Sequence, residues 1–466
     1  MKRIGALLCA ASLLLGLTAC GAPAPVRESS SEKETTSSAL ASAERMEQTT
    51  QAAESTAPPD SAAETTATSS RCNELRRGSL TGLTPVAALS QTGKTGYSSF
   101  ALRLMQKTAK EGENSLLSPA SVYLALAMTA NGADGDTRRQ MLDVLGAKDL
   151  ESLNKDCRDL QSVLVGNPNG YFRLANSLWL NQEAASSIQP AFLEADREYF
   201  GADVRLEPFD AGIVEKINRW VSGNTAGRID DLLKTLDPYT FMVIVNTLLF
   251  EGRWEEPFIP EITTDGVFHA AGGDKTLPMM HQTRDKAPWY EDGTVQATRL
   301  PFDDGRTALL LALPKGELHE WLASLTPETL GKLAAGQDTC QRLTLTLPRF
   351  RVSYKENLKE TLEAMGMPDA FSVEKADFSG MVKPDGEIML PHIDKVEHET
   401  VLEVSEKGAT AAAATAFALK AGSPRVDEIK ELTLDRPFFC ALVDEKTGAV
   451  LFGGAVYDPE ELELEG

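Results

Sequence analysis

The nucleophilic, acidic and metal-ligating residues of this 466-residue chain do not form the pattern that an enzyme needs. The sequence has no Gly-x-Ser-x-Gly or His-Glu-x-x-His motif, no glycine loop for phosphate, and no nucleophile paired with a base. With five histidines and no Cys-x-x-Cys pair, a zinc or cluster site has little support. Asp134 and Asp136 lack the glycine and terminal glutamate of a calcium loop. We therefore expect no enzymatic activity, no metal and no cofactor.

Cys20 is the residue whose surroundings point to a covalent modification. Two basic residues precede an apolar run from Ile4 to Leu17, a pattern typical of a secretory signal. The run is shorter than the roughly 20 residues that span a bilayer. Leu17-Thr18-Ala19-Cys20 resembles a bacterial lipobox, which implies cleavage before Cys20 and diacylglycerol on its thiol; a plain signal peptide is the alternative. We expect residues 1–19 to be a lipoprotein signal peptide and the protein to be extracytoplasmic, anchored to the bacterial cell envelope or secreted.

Composition separates a tether from a folded region and limits the partners. Residues 20–90 are rich in Ser, Thr, Ala, Glu, Gln and Pro, which cannot bury enough apolar surface to offset chain entropy. We predict a disordered tether there.

The whole chain carries 46 basic and 68 acidic residues, a net charge of −22. Its field repels phosphates, so nucleic acid is not an expected partner.

Residues 91–466 are predicted to form one domain, and its first half is mainly helical. Residues Tyr97–Glu111 carry apolar side chains at helical spacing. A second helix should begin after Ser118, which can cap it, with Pro119 in the first turn, and should end at Gly132. Val214–Val221 and Arg228–Leu236 are predicted to be short helices.

Strands dominate the second half, so the predicted fold class is α+β. β-branched and apolar runs favour strands at the following places: Phe172–Leu180, Phe241–Phe250, Arg299–Leu313, Leu343–Pro348, Thr400–Val404, Phe438–Val443 and Ala449–Val456. Cys440 lies in one of these runs and is predicted to be a buried thiol. A disulfide among Cys72, Cys157, Cys340 and Cys440 is permitted outside the cell but is not predicted.

Several segments, taken in order along about residues 95–460, resemble the serpin family. They are Asn114 to Ser121, Asn131-Gly132-Ala133 with Thr137 and Gln140, Leu174 to Leu178, Ile217 to Val221, Val245 to Trp254, Pro278-Met279-Met280, Leu347 to Phe350, Leu362 to Phe371, Leu434 to Leu442, and Leu451 to Gly454. The C-terminal pair is the most specific. The resemblance implies helices packed on three mostly antiparallel β-sheets, an exposed reactive loop, and a monomer that traps an extracellular serine protease in a covalent complex.

The segment after Val404 resembles the hinge of the reactive loop of serpins. Its residues are Glu406, Gly408, Ala409, Thr410, Ala411, Ala412, Ala413, Ala414 and Thr415. In the family this segment enters sheet A as a new strand after cleavage. Side chains of a strand alternate between faces, so Ala409, Ala411, Ala413 and Thr415 would turn inward, where bulk or charge is costly. Alanine propensity alone would favour a helix instead.

The position of the cleaved bond stays open. The usual family spacing from Glu406 indicates Ala421 or Gly422 before the cut, with Ser423 beyond it, and small residues suit an elastase-like or subtilisin-like protease. The stretch from Glu406 to Pro437 is longer than in typical members. A shift would bring Lys420 or Arg425 to the bond and indicate a trypsin-like target.

Ser118, Ser121, Asn246 and His398 match the polar cluster that serpins place beneath sheet A, and Trp254 matches the tryptophan near the point of loop entry. These residues would form hydrogen bonds that open and reform as strands part. The resemblance therefore implies a suicide-type inhibitor of serine proteases. The alternative is a non-inhibitory binding module of the same fold, or a protease substrate.

Overall fold

A computed structural model describes residues 7–18, 89–165, 171–237, 239–336, 338–383, 391–407 and 429–462. Within these ranges the helices pack against three β-sheets, which confirms the predicted α+β class. The helices are α1 (Gln91–Thr108), α2 (Pro119–Ala130), α3 (Gly135–Leu145), α4 (Leu150–Val165), α5 (Pro190–Phe200), α6 (Ile213–Asn224), α7 (Leu318–Ser324), α8 (Pro327–Ala335) and α9 (Lys359–Met365). Short 3-10 helices span Gln182–Ser187, Pro260–Ile262 and Pro368–Phe371.

Every run predicted from β-branched and apolar residues contributes to a strand, but the predicted run Arg299–Leu313 is broken into two strands by a turn at Asp303–Arg306. The strands are β1 (Leu7–Thr18), β2 (Ser115–Leu117), β3 (Phe172–Asn181), β4 (Asp203–Glu207), β5 (Thr240–Glu251), β6 (Thr264–Ala270), β7 (Gly273–Asp285), β8 (Tyr290–Glu291), β9 (Val295–Pro301), β10 (Thr307–Pro314), β11 (Arg342–Pro348), β12 (Phe350–Asn357), β13 (His392–Val404), β14 (Ile429–Thr433), β15 (Phe438–Asp444), β16 (Val450–Val456) and β17 (Glu460–Glu461). β13 extends well before the predicted start at Thr400.

Three sheets are formed, and they are mostly antiparallel. Sheet A has the order β17-β12-β13-β1-β5-β3-β4, sheet B the order β2-β16-β15-β10-β9-β8, and sheet C the order β14-β11-β7-β6. The parallel pairs are β3 with β4 and β11 with β14. Because neighbours in sheet A come from distant parts of the chain, its stability depends on long-range pairing.

Helix α2 is buried at the centre of the domain, as its apolar composition predicts. Ser118 caps it by accepting a hydrogen bond from the backbone N–H of Ser121, and Pro119 occupies the first turn. Every side chain from Pro119 to Ala130 is buried. The helix ends at Ala130, slightly before the predicted Gly132, and the backbone N–H of Asn131 bonds back to its last turn.

Sheet B forms the apolar interior of the domain, and a glycine sets the distance between two of its strands. All residues of β10, β15 and β16 are buried. A Cβ atom at Gly454 of β16 would lie 1.5 Å from the carbonyl oxygen of Ser115 in β2. Only glycine therefore allows β2 to pair with β16 here.

The predicted helix over Arg228–Leu236 is wrong, because this segment is irregular. Ala226 and Gly227 adopt positive φ angles of 52° and 73°, which end the preceding helical path. The side chain of Asn218 then accepts a bond from the N–H of Leu233 and donates one to its carbonyl. These two bonds satisfy backbone groups that a helix would otherwise pair, so Leu233 is buried without regular structure.

Candidate functional site

The central feature of sheet A is the place between β5 and β13, which we call the seam. β1 fills the seam and runs antiparallel to both neighbours. On the β13 side its partners extend from Val404 to His392, and on the β5 side from Glu251 to Thr240. The seam therefore accommodates one complete strand along the full length of sheet A.

A buried polar cluster lies beneath the seam and links it to helix α2. Asn246 of β5 accepts a hydrogen bond from the hydroxyl of Ser121 and donates one to Asn176 Oδ1 at 2.6 Å. Asn176 in turn donates to the carbonyl oxygen of Phe200 at 2.7 Å. Ser121, Asn176 and Asn246 are all at most 3% exposed. Because the donors and acceptors satisfy one another, these polar groups are stable in an apolar interior.

A second branch of this cluster joins β13 to the start of helix α2. The backbone N–H of Ser118 donates to His398 Nε2 at 3.0 Å, and the Ser118 hydroxyl donates to the carbonyl of Leu451. Thr400 donates to the carbonyl of Leu116 at 2.7 Å. These bonds connect β13 to sheet B through side chains.

Glu406 is held at the end of β13 by a defined set of contacts. Its carboxylate accepts hydrogen bonds from Thr263 at 2.9 Å and from the guanidinium of Arg349 at 3.2 Å. Its backbone carbonyl accepts from the N–H of Phe258. The residue is only 2% exposed, although it is an acid in a turn. The chain therefore leaves β13 from a fixed point beside the end of the seam.

Trp254 packs at the same end of the seam. Its indole N–H donates to the carbonyl of Ser405 at 2.8 Å, and its ring stacks on Phe302 at 4.6 Å between centroids. Trp254 thus couples the chain that follows β13 to the chain that follows β5. The indole is therefore held in place both by ring packing and by its hydrogen bond.

The family of the protein follows from comparison with known proteins. The family model described as "Serpin (serine protease inhibitor)" matches residues 95–459. The chain belongs to the serpin family. A serpin-like protein of Thermococcus kodakarensis is 31% identical over 78% of this chain and 85% of its own length. Leukocyte elastase inhibitor A of Mus musculus is 32% identical over 77% of this chain and 97% of its own length.

A solved serpin structure confirms the fold. The native-state crystal structure of the thermophilic serpin tengpin aligns with a TM-score of 0.70 at 30% identity, over 80% of this chain and 96% of that one. The description of the family model names serine protease inhibition as the activity of the family. Within the described ranges, no group of three or more His, Cys, Asp or Glu residues could hold a metal ion.

The structure brings the predicted cluster of this serpin together in two groups. Ser118, Ser121, Asn246 and His398 lie beneath the seam, whereas Trp254 lies at its end with Glu406. The remaining hinge residues, Gly408 to Thr415, lie outside the described residues, as do the candidates for the cleaved bond, Lys420, Ala421, Gly422, Ser423 and Arg425, and the lipidation candidate Cys20. Their assigned roles stay predictions.

One ion-pair group at the seam was missed by sequence reasoning. Glu403 of β13 is 3% exposed and lies between Arg351 Nη1 at 2.7 Å and Arg228 Nη1 at 3.2 Å. The pair formed by Arg349 and Glu406, described above, was missed in the same way. The partners are far apart in the chain, so no local pattern indicates them. A clue was that apolar residues, Leu402 and Val404, flank Glu403 in the sequence.

Three cysteines of the described part of the domain are present as thiols rather than disulfides. Cys157, Cys340 and Cys440 are all buried, which confirms the prediction for Cys440. Burial raises the pKa of the Cys440 thiol to about 12. A thiol with so high a pKa is unreactive at neutral pH. Cys72 lies outside the described residues.

Among the helices of the described ranges, none combines the length and apolar character needed to cross a bilayer.

Proposed function

We propose that this serpin is a suicide-type inhibitor of serine proteases that inserts its own cleaved loop into sheet A. The observation that carries the proposal is the seam. It accepts an entire additional strand, antiparallel to β5 and β13, directly beside the point where Glu406 fixes the exit of the chain. A loop that folds back at Glu406 would run antiparallel to β13, which is the direction that the seam accommodates.

The chemistry begins as ordinary proteolysis of the loop. The protease serine attacks a loop carbonyl, its proton passes to the protease histidine, and the peptide bond breaks as the leaving amine is protonated. The loop is then joined to the protease by an ester bond. Water would normally hydrolyse this ester, so inhibition requires that strand insertion is faster than hydrolysis. Small side chains from Ala409 to Thr415 favour fast insertion, because bulk on the inward face would overpack the core.

The target class follows from the residues at the cleaved bond. Ala421 or Gly422 would suit an elastase-like or subtilisin-like pocket, and Lys420 or Arg425 a trypsin-like one. One relative of this chain is named leukocyte elastase inhibitor A, from Mus musculus. Elastase-like proteases are therefore the first to be tested. The proposed partner is therefore an extracellular serine protease with a small specificity pocket.

The decisive experiment mixes the purified protein, beginning at Gly21, with pancreatic elastase, neutrophil elastase, subtilisin and trypsin. We expect an adduct that survives boiling in SDS with at least one of the first three. The same protease with its active serine blocked is the control and should give none. N-terminal sequencing of the released C-terminal fragment identifies the bond. Cleavage by every protease without any adduct would instead favour the substrate or binding-module alternative.

A matched pair of loop variants tests insertion itself. Ala411→Arg places a charge on the predicted inward face and should convert the inhibitor into a substrate, lowering adduct yield at least about tenfold. Ala412→Arg carries the same charge on the predicted outward face and should retain most of the adduct. Equal yields for both variants would contradict the proposed insertion geometry.

Heat denaturation gives an independent reading of insertion. If the native state stores strain that insertion releases, cleavage of the loop should raise the melting temperature sharply. An unchanged melting temperature after complete cleavage would contradict a strained native state.

The proposed location is extracytoplasmic, with diacylglycerol on Cys20 as the anchor. The sequence before Cys20 supports it. A radiolabelled fatty acid should be incorporated into the protein in a bacterial host, and Cys20→Ser should abolish incorporation. Labelling that persists in the variant would place the lipid elsewhere.

A further inference from the structure

The apolar segment Leu7–Thr18 forms strand β1, which fills the seam. Nothing in its sequence marks it as part of sheet A, since the same residues match a secretory signal. Its backbone nevertheless pairs on both sides, and Leu13 stands between Asn246 of β5 and His398 of β13. Adjacent strands of a sheet are about 4.8 Å apart, so a place bounded on both sides holds one strand only.

Two neighbouring side chains of β1 are buried in different apolar clusters, as expected of a central strand whose side chains alternate between faces. Leu14 and Leu15 are both 0% exposed. Leu14 joins the apolar cluster on one face of sheet A, with Ile217 of α6 and Val245 of β5. Leu15 joins the main core on the opposite face. The sequence of Leu7–Thr18 contains no charged residue, so its insertion buries no charge.

The covalent connection permits this arrangement. The chain between Thr18 and Gln91 can span more than about 200 Å when extended, which exceeds any distance within one domain of this size. A segment tethered in this way encounters its own domain at high effective concentration. The segment is present before any protease cleaves the reactive loop, so it can enter the seam ahead of the loop.

We propose that the N-terminal segment is an autoinhibitory strand that locks any molecule folding with residues 1–19 still attached. This inference rests on the proposed function, because it concerns the same seam. β1 and the cleaved loop compete for one place, so a molecule with β1 inserted is cut as a substrate. A molecule that folds after losing the segment has an empty seam and is an active inhibitor. Inhibition would then be confined to the processed, exported form.

The test compares the full chain, residues 1–466, with the chain beginning at Gly21, which contains the complete family match from residue 95 to 459. Both are made in the cytoplasm of a host that does not process the segment. With pancreatic elastase, the full chain should be cleaved with an adduct yield more than about tenfold lower than that of the shorter chain. Its melting temperature should already be high and should not rise on cleavage.

Two variants of the full chain separate insertion from the mere presence of extra residues. Leu14→Arg puts a charge into the apolar cluster and should expel β1, which restores the adduct to the level of the shorter chain. Gly16→Ala should stay locked, because a Cβ there meets only Lys395 Cγ at 3.8 Å, an ordinary contact. Equal adduct yields for the full chain and the shorter chain would overturn the proposal.

Hydrogen exchange distinguishes failure of this inference from failure of the proposed function. Amides of Leu7–Thr18 should exchange slowly in the full chain and rapidly in Leu14→Arg. If the shorter chain forms no adduct with any protease, the proposed function fails, yet slow exchange would still support insertion of β1. Rapid exchange of these amides in the full chain would overturn the autoinhibitory strand whatever the adduct assay gives.

Discussion

Sheet B and the seam of sheet A are both buried, but they are stabilised by different interactions. Strands β10, β15 and β16 of sheet B are held mainly by apolar side chains, whose attraction is non-directional and depends on close packing. The seam instead has hydrogen-bonded side chains on both flanking strands, with Asn246 on β5 and His398 on β13. The apolar packing of sheet B holds its strands in fixed positions. The interactions at the seam are directional bonds, each of which depends on a specific partner atom.

The largest expected effect on stability comes from disrupting the apolar packing between the three sheets. Phe438 of β15 packs against the rings of Phe350 and Phe268, where the three sheets meet. The ring centroids are 5.7 Å apart for Phe350 and 6.2 Å apart for Phe268. Phe438→Ala leaves a cavity there and should lower the free energy of unfolding by about 3–5 kcal/mol. Urea unfolding followed by circular dichroism measures it. Phe438→Leu should lower the free energy of unfolding by less. A loss below about 1 kcal/mol for the alanine variant would contradict the close packing of Phe438 between the sheets.

A smaller effect is expected at the polar cluster of the seam. Asn246→Ala leaves Ser121 and Asn176 without their buried partner, which should cost about 1–3 kcal/mol. Ser121→Ala is the matched variant, and the double variant should lose less than the sum of the two. Additive losses would show that the two residues do not interact as described.

A pH-dependent effect is expected from Asp196 of α5, below sheet A. Neither of its carboxylate oxygens has a hydrogen-bond partner among the described residues, and burial raises its pKa well above the usual value. The unfolded chain therefore releases this proton at lower pH than the folded one. The contribution of Asp196 to folding stability should fall above about pH 4, by about 1.4 kcal/mol per pH unit, until the pH reaches the pKa of the folded state.

Asp196→Asn should remove this slope. The variant keeps the shape of the side chain but does not titrate. Melting temperatures of the two proteins between pH 4 and pH 7 should diverge as pH rises, with the variant higher. Parallel curves would show that Asp196 is ionised in the folded protein.

The smallest effect is expected on the outer surface of α6, which covers sheet A. Glu215 and Arg219 form an ion pair one turn apart, with side chains 77% and 70% exposed. Glu215→Gln should change the free energy of unfolding by no more than about 0.5 kcal/mol. Ile217→Ala in the same helix removes a buried side chain and should cost about 2–5 kcal/mol. Similar losses for both variants would mean that α6 is not packed as described.

Local signals predicted much of the fold. Ser118 and Pro119 indicated the start of α2, and the β-branched run Val243-Ile244-Val245 indicated β5. The helix over Arg228–Leu236 was predicted wrongly because its apolar spacing arises from packing against α6, while Asn218 supplies the backbone bonds.

The site was predictable only where it resembles the family. The polar cluster came from family motifs, whereas the ion pairs of Glu403 and Glu406 join residues that no local pattern relates. Insertion of β1 was not predicted at all. An uncharged apolar run satisfies the requirements of a secretory signal and of a central strand equally well.

Gly454 has a consequence that reaches beyond sheet B. Any side chain at this position would push away Ser115, and β2 leads within one residue to Ser118, whose amide binds His398. A single added methyl group in the fixed part of the molecule would thus disturb the hydrogen bond that anchors β13. The absence of a side chain at Gly454 therefore sets the spacing on which both the pairing of β2 with β16 and the hydrogen bond from Ser118 to His398 depend.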